Sequence, residues 1–535
     1  MIYASTLRSI SAFVVLTLAS ALQSAHANET ATGIVFADAN DNGVQDSGEQ
    51  GLAGIGVSNG REVVQTDQDG RYKIAVDNDT IVFVIKPTGY RTELDEDHLS
   101  RFYYIHKPAG SKQGLKFPGV EPTGPLPAAI NFPLVPQEEP TEFDVLFFGD
   151  PQPRNQQEID YIAHDVVEPL IGSDAAFGVT LGDILFDDLS LFDSFNHTVG
   201  RIGIPWYNVI GNHDINYAAA RDEDSDETFE RVYGPAYYSF NYGGVHFINV
   251  DDVHWMSDGD RMLYRSGLSE KQLDFIQNDL ALVPQDTLVV AMMHIPLVKS
   301  TPWLQPKRER LFRLLESRDH CVSLAGHTHH HEHVMLGSDD GWKNPKPHHH
   351  IINVTVSGSW WSGQPDENEI PHTMCKDGTP NGYTIMHFDG AEYLLEYRAA
   401  RKAPGYQIRI MAEEELCPGD ADRARFFANV FNAMPEANVE WKFVEDEKWQ
   451  PMQKESQADP AFQKLWQAEQ KDKAEGKLAW RELPSPMKSP HLWSAQIPTD
   501  LPVGTYGIQV RCTNPNGQIL TGHRIFRVTE VAATK

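Results

Sequence analysis

Trp206-Tyr207-Asn208-Val209-Ile210-Gly211-Asn212-His213-Asp214 is an apolar run that stops at a glycine and gives way to residues of metal-binding type. The same arrangement recurs on both sides of it. Val145-Leu146-Phe147-Phe148 leads into Gly149-Asp150-Pro151-Gln152, and Phe177-Gly178-Val179-Thr180-Leu181 leads into Gly182-Asp183. Further on, Leu288-Val289-Val290-Ala291-Met292-Met293 runs into His294, and Val322-Ser323-Leu324-Ala325 into Gly326-His327-Thr328-His329. Short apolar runs bounded by turn signals read as buried strands. Helical patterns lie between them: Ile159, Ile162, Ala163, Val166, Val167 and Leu170 share one helical face, and Ser269 with Gln272 reads as a capping box opening a second helix. Strands alternating with helices imply a layered α/β domain, in which ligands collect beyond the carboxyl ends of the strands. Five strand ends are therefore expected to converge on one site, with the preceding glycines letting the chain turn sharply. Asp, Asn and His together form a mixed oxygen and nitrogen shell suited to Zn, Mn, Fe or Co.

Outward from this core, residues 28–106 read as short strands punctuated by Gly, Asn and Asp, a small β-sandwich. Residues 107–140 are rich in Pro and Gly and read as a linker, 141–398 form the α/β domain, and 399–535 are β-rich again. A charged stretch at 445–477 interrupts this last region and reads as a solvated helix or loop. At 535 residues the chain is expected to hold about two to four domains. Residues 1–27 combine Arg8, a short apolar segment and Ala25-His26-Ala27, the pattern of a cleaved signal peptide. An exported protein, periplasmic or secreted, is expected, with no transmembrane segment after cleavage. The formal net charge of −30 argues against a nucleic-acid partner or an anionic membrane. Four cysteines are too few for a disulfide framework, although Cys417 and Cys512 share the last region and a pairing between them is considered.

Residues 38–49 fit the twelve-residue calcium loop, with Asp38, Asn40, Asn42, Val44, Asp46 and Glu49 in the ligand positions and Gly43 at the turn. No helices flank it, so a structural Ca²⁺ in a β-sandwich is the expectation; the alternative is a solvated Asx/Gly turn.

The ordered series Asp-x-Gln, Gly-Asp, Gly-Asn-His-Asp, His and Gly-His-x-His resembles the calcineurin-like metallophosphoesterases over about residues 143 to 390. The flanking regions resemble the N- and C-terminal domains of bacterial exported members. The resemblance implies a four-layer α/β sandwich with β-sandwich flanks, and a phosphate-ester substrate. It implies one metal held by Asp150, Gln152, Asp183 and His329, and a second by Asp183, Asn212, His294 and His327. A hydroxide between the ions would attack phosphorus, with His213 stabilising the transition state or protonating the leaving group. Gln152 stands where many relatives have His. Phe186 replaces the iron-binding Tyr of purple acid phosphatases and the Asp that orients the catalytic His in phosphoprotein phosphatases. Asp187 and Asp214 are both candidates for that orienting role, with Asp214 grouped beside His213.

Other residues carry two readings each. His330, His331 and His333, with His348-His349-His350, read as substrate contacts or an extra metal, or as polar loop residues. Trp360-Trp361 reads as a stacking surface or as domain packing. A protein phosphatase or nuclease of the same fold, and a non-catalytic, calcium-stabilised envelope binding protein, are the competing functions.

Overall fold

The computed structural model describes residues 29–258, 261–419 and 423–530. The signal-peptide reading falls outside these residues. The central region builds two mixed sheets. One has the strand order Trp206–Val209, Phe177–Leu181, Glu142–Phe148, Gly382–Asp389, Glu392–Ala399, with the first three parallel. The other runs Tyr238–Tyr242, Val245–Asn249, Leu288–Met292, His320–Ala325, His348–Ile352, Glu332–Leu336, with its four middle strands parallel.

Alternation along the strands makes the layers. Val145 and Phe147 face Phe247, Val290 and Met292 in the core between the sheets, whereas Leu146 and Phe148 face Ile159, Ile162 and Phe195 on the outer helices. Helices Glu270–Leu280 and Gln305–Leu315 cover the second sheet through Leu273, Phe275, Leu311 and Phe312. The result is helix, sheet, sheet, helix.

The first helical pattern is not one α-helix. It is α-helical over Gln156–Ile162, widens into a π-turn over Ala163–Val167 and ends as a 3-10 turn at Glu168–Leu170. Pro169 has no N–H to continue the ladder. At the second helix Ser269 caps the Gln272 backbone N–H at 3.1 Å, but the Gln272 side chain bonds Asp251 instead of closing the box.

The N-terminal strands form two four-stranded sheets. Residues 107–140 do more than link: Phe132–Pro136 lies parallel to Glu29–Ala37 inside the first sheet. Lys107, also in that stretch, is buried against Glu227 at 2.6 Å. The apolar core runs unbroken from this sandwich into the central domain, with Phe83 against Phe275 at 5.5 Å and Phe102 against Tyr238 at 4.9 Å. The C-terminal sandwich has its own core around Phe426, Trp441 and Val510. Cys417 and Cys512 are free. The charged stretch holds the helix Pro460–Ala474.

His348–Ile352 is a strand, so His348 and His350 are not loop residues; both bond Ser323 at 2.7 Å in the interior. His331 and His333 bond Asn432 at 3.2 and 2.8 Å, and His491 bonds Asp377 at 2.9 Å. These pairs form a polar seam between the central and C-terminal regions.

The shared N-terminal core gives a testable consequence. Phe102→Ala should cost about 3–5 kcal/mol. Calorimetry should show the N-terminal sandwich and central domain melting together at a lowered temperature. A separate early transition of the sandwich alone would contradict the shared core.

Candidate metal centre

The candidate residues sit at the carboxyl ends of parallel strands in both sheets. Asp150 and Gln152 follow Glu142–Phe148, Asp183 follows Phe177–Leu181, and Asn212 and His213 follow Trp206–Val209. His294 follows Leu288–Met292, and His327 and His329 follow His320–Ala325. All seven candidate ligands meet there.

The backbone is bent to bring them in. Asp150, Gln152, Asp183, His327 and His329 have φ of 40°, 42°, 47°, 73° and 54°. Left-handed conformations of this kind cost about 1–3 kcal/mol each and cluster at functional sites. The ligand residues themselves thus take the sharp turns. Among the glycines before them only Gly182 has a positive φ, at 79°. Gly211 is needed for space, since a Cβ there would lie 1.9 Å from the Asp183 nitrogen. Gly326 is similar, with a Cβ 2.4 Å from Asp150 Oδ2.

Asp183, His294 and His327 offer ligand atoms all within 4.8 Å of one another. His294 Nδ1 is bound to the Leu181 carbonyl at 2.9 Å, so Nε2 faces the cluster. That nitrogen lies 3.2 Å from Asp183 Oδ1, 3.2 Å from Asn212 Oδ1 and 3.1 Å from His327 Nδ1. His329 is oriented in the same way: Nδ1 is 2.7 Å from the Gly358 carbonyl, and Nε2 is 3.6 Å from Asp150 Oδ1. Gln152 lies against the other oxygen of Asp183, with Nε2 at 2.5 Å from Oδ2. Its Oε1 is buried without a hydrogen-bond partner. Turning the amide over would present that oxygen to the cluster.

The electrostatics favour a cation. Burial opposes charge on His294, yet Asp183 holds the imidazole up at about 10. Burial pushes His327 and His329 down to about 3, which keeps them neutral donors. Asp183 stays below the usual carboxylate range, because His294 and His213 outweigh its burial. An orphaned amide oxygen, oriented imidazoles and buried carboxylates fit divalent metal binding.

Asp187 is the residue that contacts the His213 ring, with Oδ1 2.6 Å from Nδ1. Asp214 is engaged elsewhere: it accepts from the N–H groups of Gly211, Ile184 and Leu185 at 2.8, 3.0 and 3.0 Å. Its grouping with the catalytic residues is corrected to a positioning role. Phe186 stacks on His213 at 4.4 Å, with the Arg154 guanidinium 4.4 Å from the same ring. Against its burial, Asp183 and Asp187 hold His213 above its ordinary value.

Two cations at the site have no sequence signature of their own. Arg154 is one. Lys376 is the other, with Nζ 4.8 Å over the Trp360 ring, which lies 4.5 Å from His329. Among the described residues no carboxylate pairs with Lys376 at ion-pair distance. The two tryptophans divide: Trp361 is buried, bonding the Pro151 carbonyl at 3.0 Å, and Trp360 faces the site.

The calcium-loop residues lie in the N-terminal sandwich and bond to one another. Asp38 accepts from Asn42 and Gly43 at 3.2 and 2.8 Å. Asp46 takes the Asn40 and Asn42 amides, and Glu49 the backbone of Ala39 and Asp46.

Three family profiles match the chain. Residues 143–331 match the calcineurin-like phosphoesterase, 39–121 its N-terminal region and 350–519 its C-terminal region. No curated protein sequence shows a significant match. Among solved structures, one similar chain is the purple acid phosphatase PPD1 from yellow lupin seeds. It is 15% identical, with 69% of this chain and 66% of that chain covered and a TM-score of 0.35. Another is PhoD, at 12% identity, with coverage of 75% and 90% and a TM-score of 0.35.

The space argument at Gly211 is open to test. Gly211→Ala should displace Asp183 and cut the metal content of the folded protein to less than about half, read by elemental analysis. Unchanged metal content would contradict it.

Proposed function

Because the chain belongs to the calcineurin-like phosphoesterases, with that family's N- and C-terminal regions, we propose that it is an exported, two-metal hydrolase of phosphate mono- or diesters. One observation carries the two-metal reading. The Asp183 carboxylate turns one oxygen toward His294, at 3.2 Å, and the other toward Gln152, at 2.5 Å. A carboxylate divided in this way is suited to bridge two ions. Asp150, Gln152, Asp183 and His329 would hold one, and Asp183, Asn212, His294 and His327 the other. Their mixed donors suit Mn, Zn or Fe.

When bound, such ions would supply Lewis acidity and lower the pKa of a coordinated water. The chain's own residues do the rest. His213, whose proton affinity Asp183 and Asp187 raise, lines the cleft, and with Nδ1 engaged by Asp187 it would deliver a proton from Nε2 to the leaving oxygen. Asp187 fixes the ring through Nδ1, the role that Phe186 cannot fill. Lys376, beside Trp360, would supply positive charge near the site and Arg154, although paired with Glu158 at 3.1 Å, a guanidinium donor, which helps a phosphate ester into a protein of net charge −30. The same net charge disfavours a nuclease.

Export rests on the composition of residues 1–27. The loop at 38–49 would hold a structural Ca²⁺, its carboxylates already gathered by backbone N–H groups.

Asp183→Asn should leave a folded protein whose phosphoesterase turnover falls to background. Asp187→Asn should lower kcat by about 10- to 100-fold, within the range of general acid catalysis. Near-normal turnover by folded Asp183→Asn would sink the assignment. Calcium should raise the melting temperature of the wild type but not of Glu49→Gln, since binding to the folded state alone stabilises it. The absence of any calcium-dependent shift would exclude the bound ion.

A further inference from the structure

A cavity of about 890 Å³ opens beside His213, and its far wall comes from the C-terminal region. The near wall carries Arg154, His213 and Trp360; the far wall carries Trp466 from the helix Pro460–Ala474 and Trp480 and Arg481 from the loop after it. That wall is held in place. Glu469 is buried and accepts from Trp480 Nε1 at 2.8 Å and the Leu483 N–H at 2.7 Å. Leu483 and Phe462 pack on Met374 of the central region. Arg481 Nη1 reaches the Trp360 carbonyl at 3.3 Å, and Arg154 Nη1 reaches the same oxygen at 2.9 Å. Two guanidinium groups thus converge on one carbonyl beside the catalytic histidine.

The contents of the cleft define its ligand. Its volume matches a whole small molecule; a bare phosphoryl group needs far less. Trp466 and Trp480 both line the cavity and are half-buried, and Trp466 packs in part on Phe462, Leu483 and Met374. Lys473 is neutralised by Glu482 at 2.6 Å and Arg154 is paired with Glu158 at 3.1 Å, but Arg481 has no acidic partner among the described residues. A cleft lined with indoles, with the unpaired Arg481 guanidinium on one wall and His213 on the other, suits an anion that carries a flat ring.

Resting on the phosphoesterase reading, we propose that residues 460–485 form a specificity wall, and that the substrate is a phosphate ester whose alcohol part bears a planar ring, a nucleoside phosphate being the simplest example. The ester phosphate would sit by His213 and Arg154, with the ring against Trp466 and Trp480.

The test uses the full chain and two probes, adenosine 5′-monophosphate and glycerol 3-phosphate, each also as its methyl diester. Binding is read by quenching of tryptophan fluorescence and turnover by phosphate or alcohol release. The adenosine ester should bind about tenfold more tightly in at least one ester form, as one ring stacked on an aromatic side chain implies. Trp480→Leu and Trp466→Leu should each bring that ratio toward one. A variant that merely loosens the fold would weaken both probes alike and leave the ratio intact, which overturns the proposal. Equal binding of both probes by the wild type also overturns it. Selective binding without hydrolysis of any probe would uphold the wall and refute the phosphoesterase reading.

Discussion

The Asp214 carboxylate holds the site together. It accepts from Gly211 in its own turn and from Ile184 and Leu185 in the neighbouring one, all at 2.8–3.0 Å and fully buried. Those three bonds tie the strand end that carries Asn212 and His213 to the strand end that carries Asp183. Two other buried carboxylates repeat the device. Both oxygens of Asp150 take the His327 N–H at 2.9 Å, which joins the first sheet to the second. Asp252 takes the N–H groups of His294 and Ile295. Buried charge is costly unless hydrogen-bonded, and here its bonds fix the positions of the candidate ligands.

This bracing offsets the strain in the ligand backbone. Five candidate ligands occupy left-handed conformations that would relax in a free loop. The glycines before them admit the close approach of one turn to another. Gly211 and Gly326 sit where any side chain would strike Asp183 or Asp150. The strained turns, the glycines and the carboxylate braces therefore act as one unit, set at the edge of a rigid double sheet.

The layered fold and the seven convergent residues were legible in the sequence, because each apolar strand ends directly in a residue with a donor atom. Strand ends are local, and their convergence follows from sheet topology. What was not legible depends on tertiary contact. The choice of Asp187 over Asp214 beside His213 turns on which carboxylate the backbone consumes. The strand at Phe132–Pro136 is short and ends in proline, and only its pairing with Glu29–Ala37 makes it one. All four glycines before the ligands serve space, and only Gly182 also needs a positive φ, a distinction that the sequence alone does not make. His348 and His350 belong to a buried strand, which a histidine run does not announce. Lys376 and the wall at 460–485 reach the site from distant sequence, with no motif to mark them.

The central claim is that Asp183 joins two metal ions. Crystals of the protein loaded with Mn²⁺ or Zn²⁺, measured at the metal's absorption edge, test it most directly. The account predicts two anomalous peaks about 3.5–4 Å apart, with one Asp183 oxygen on each. A single peak, or two peaks with Asp183 bound to only one of them, would contradict it.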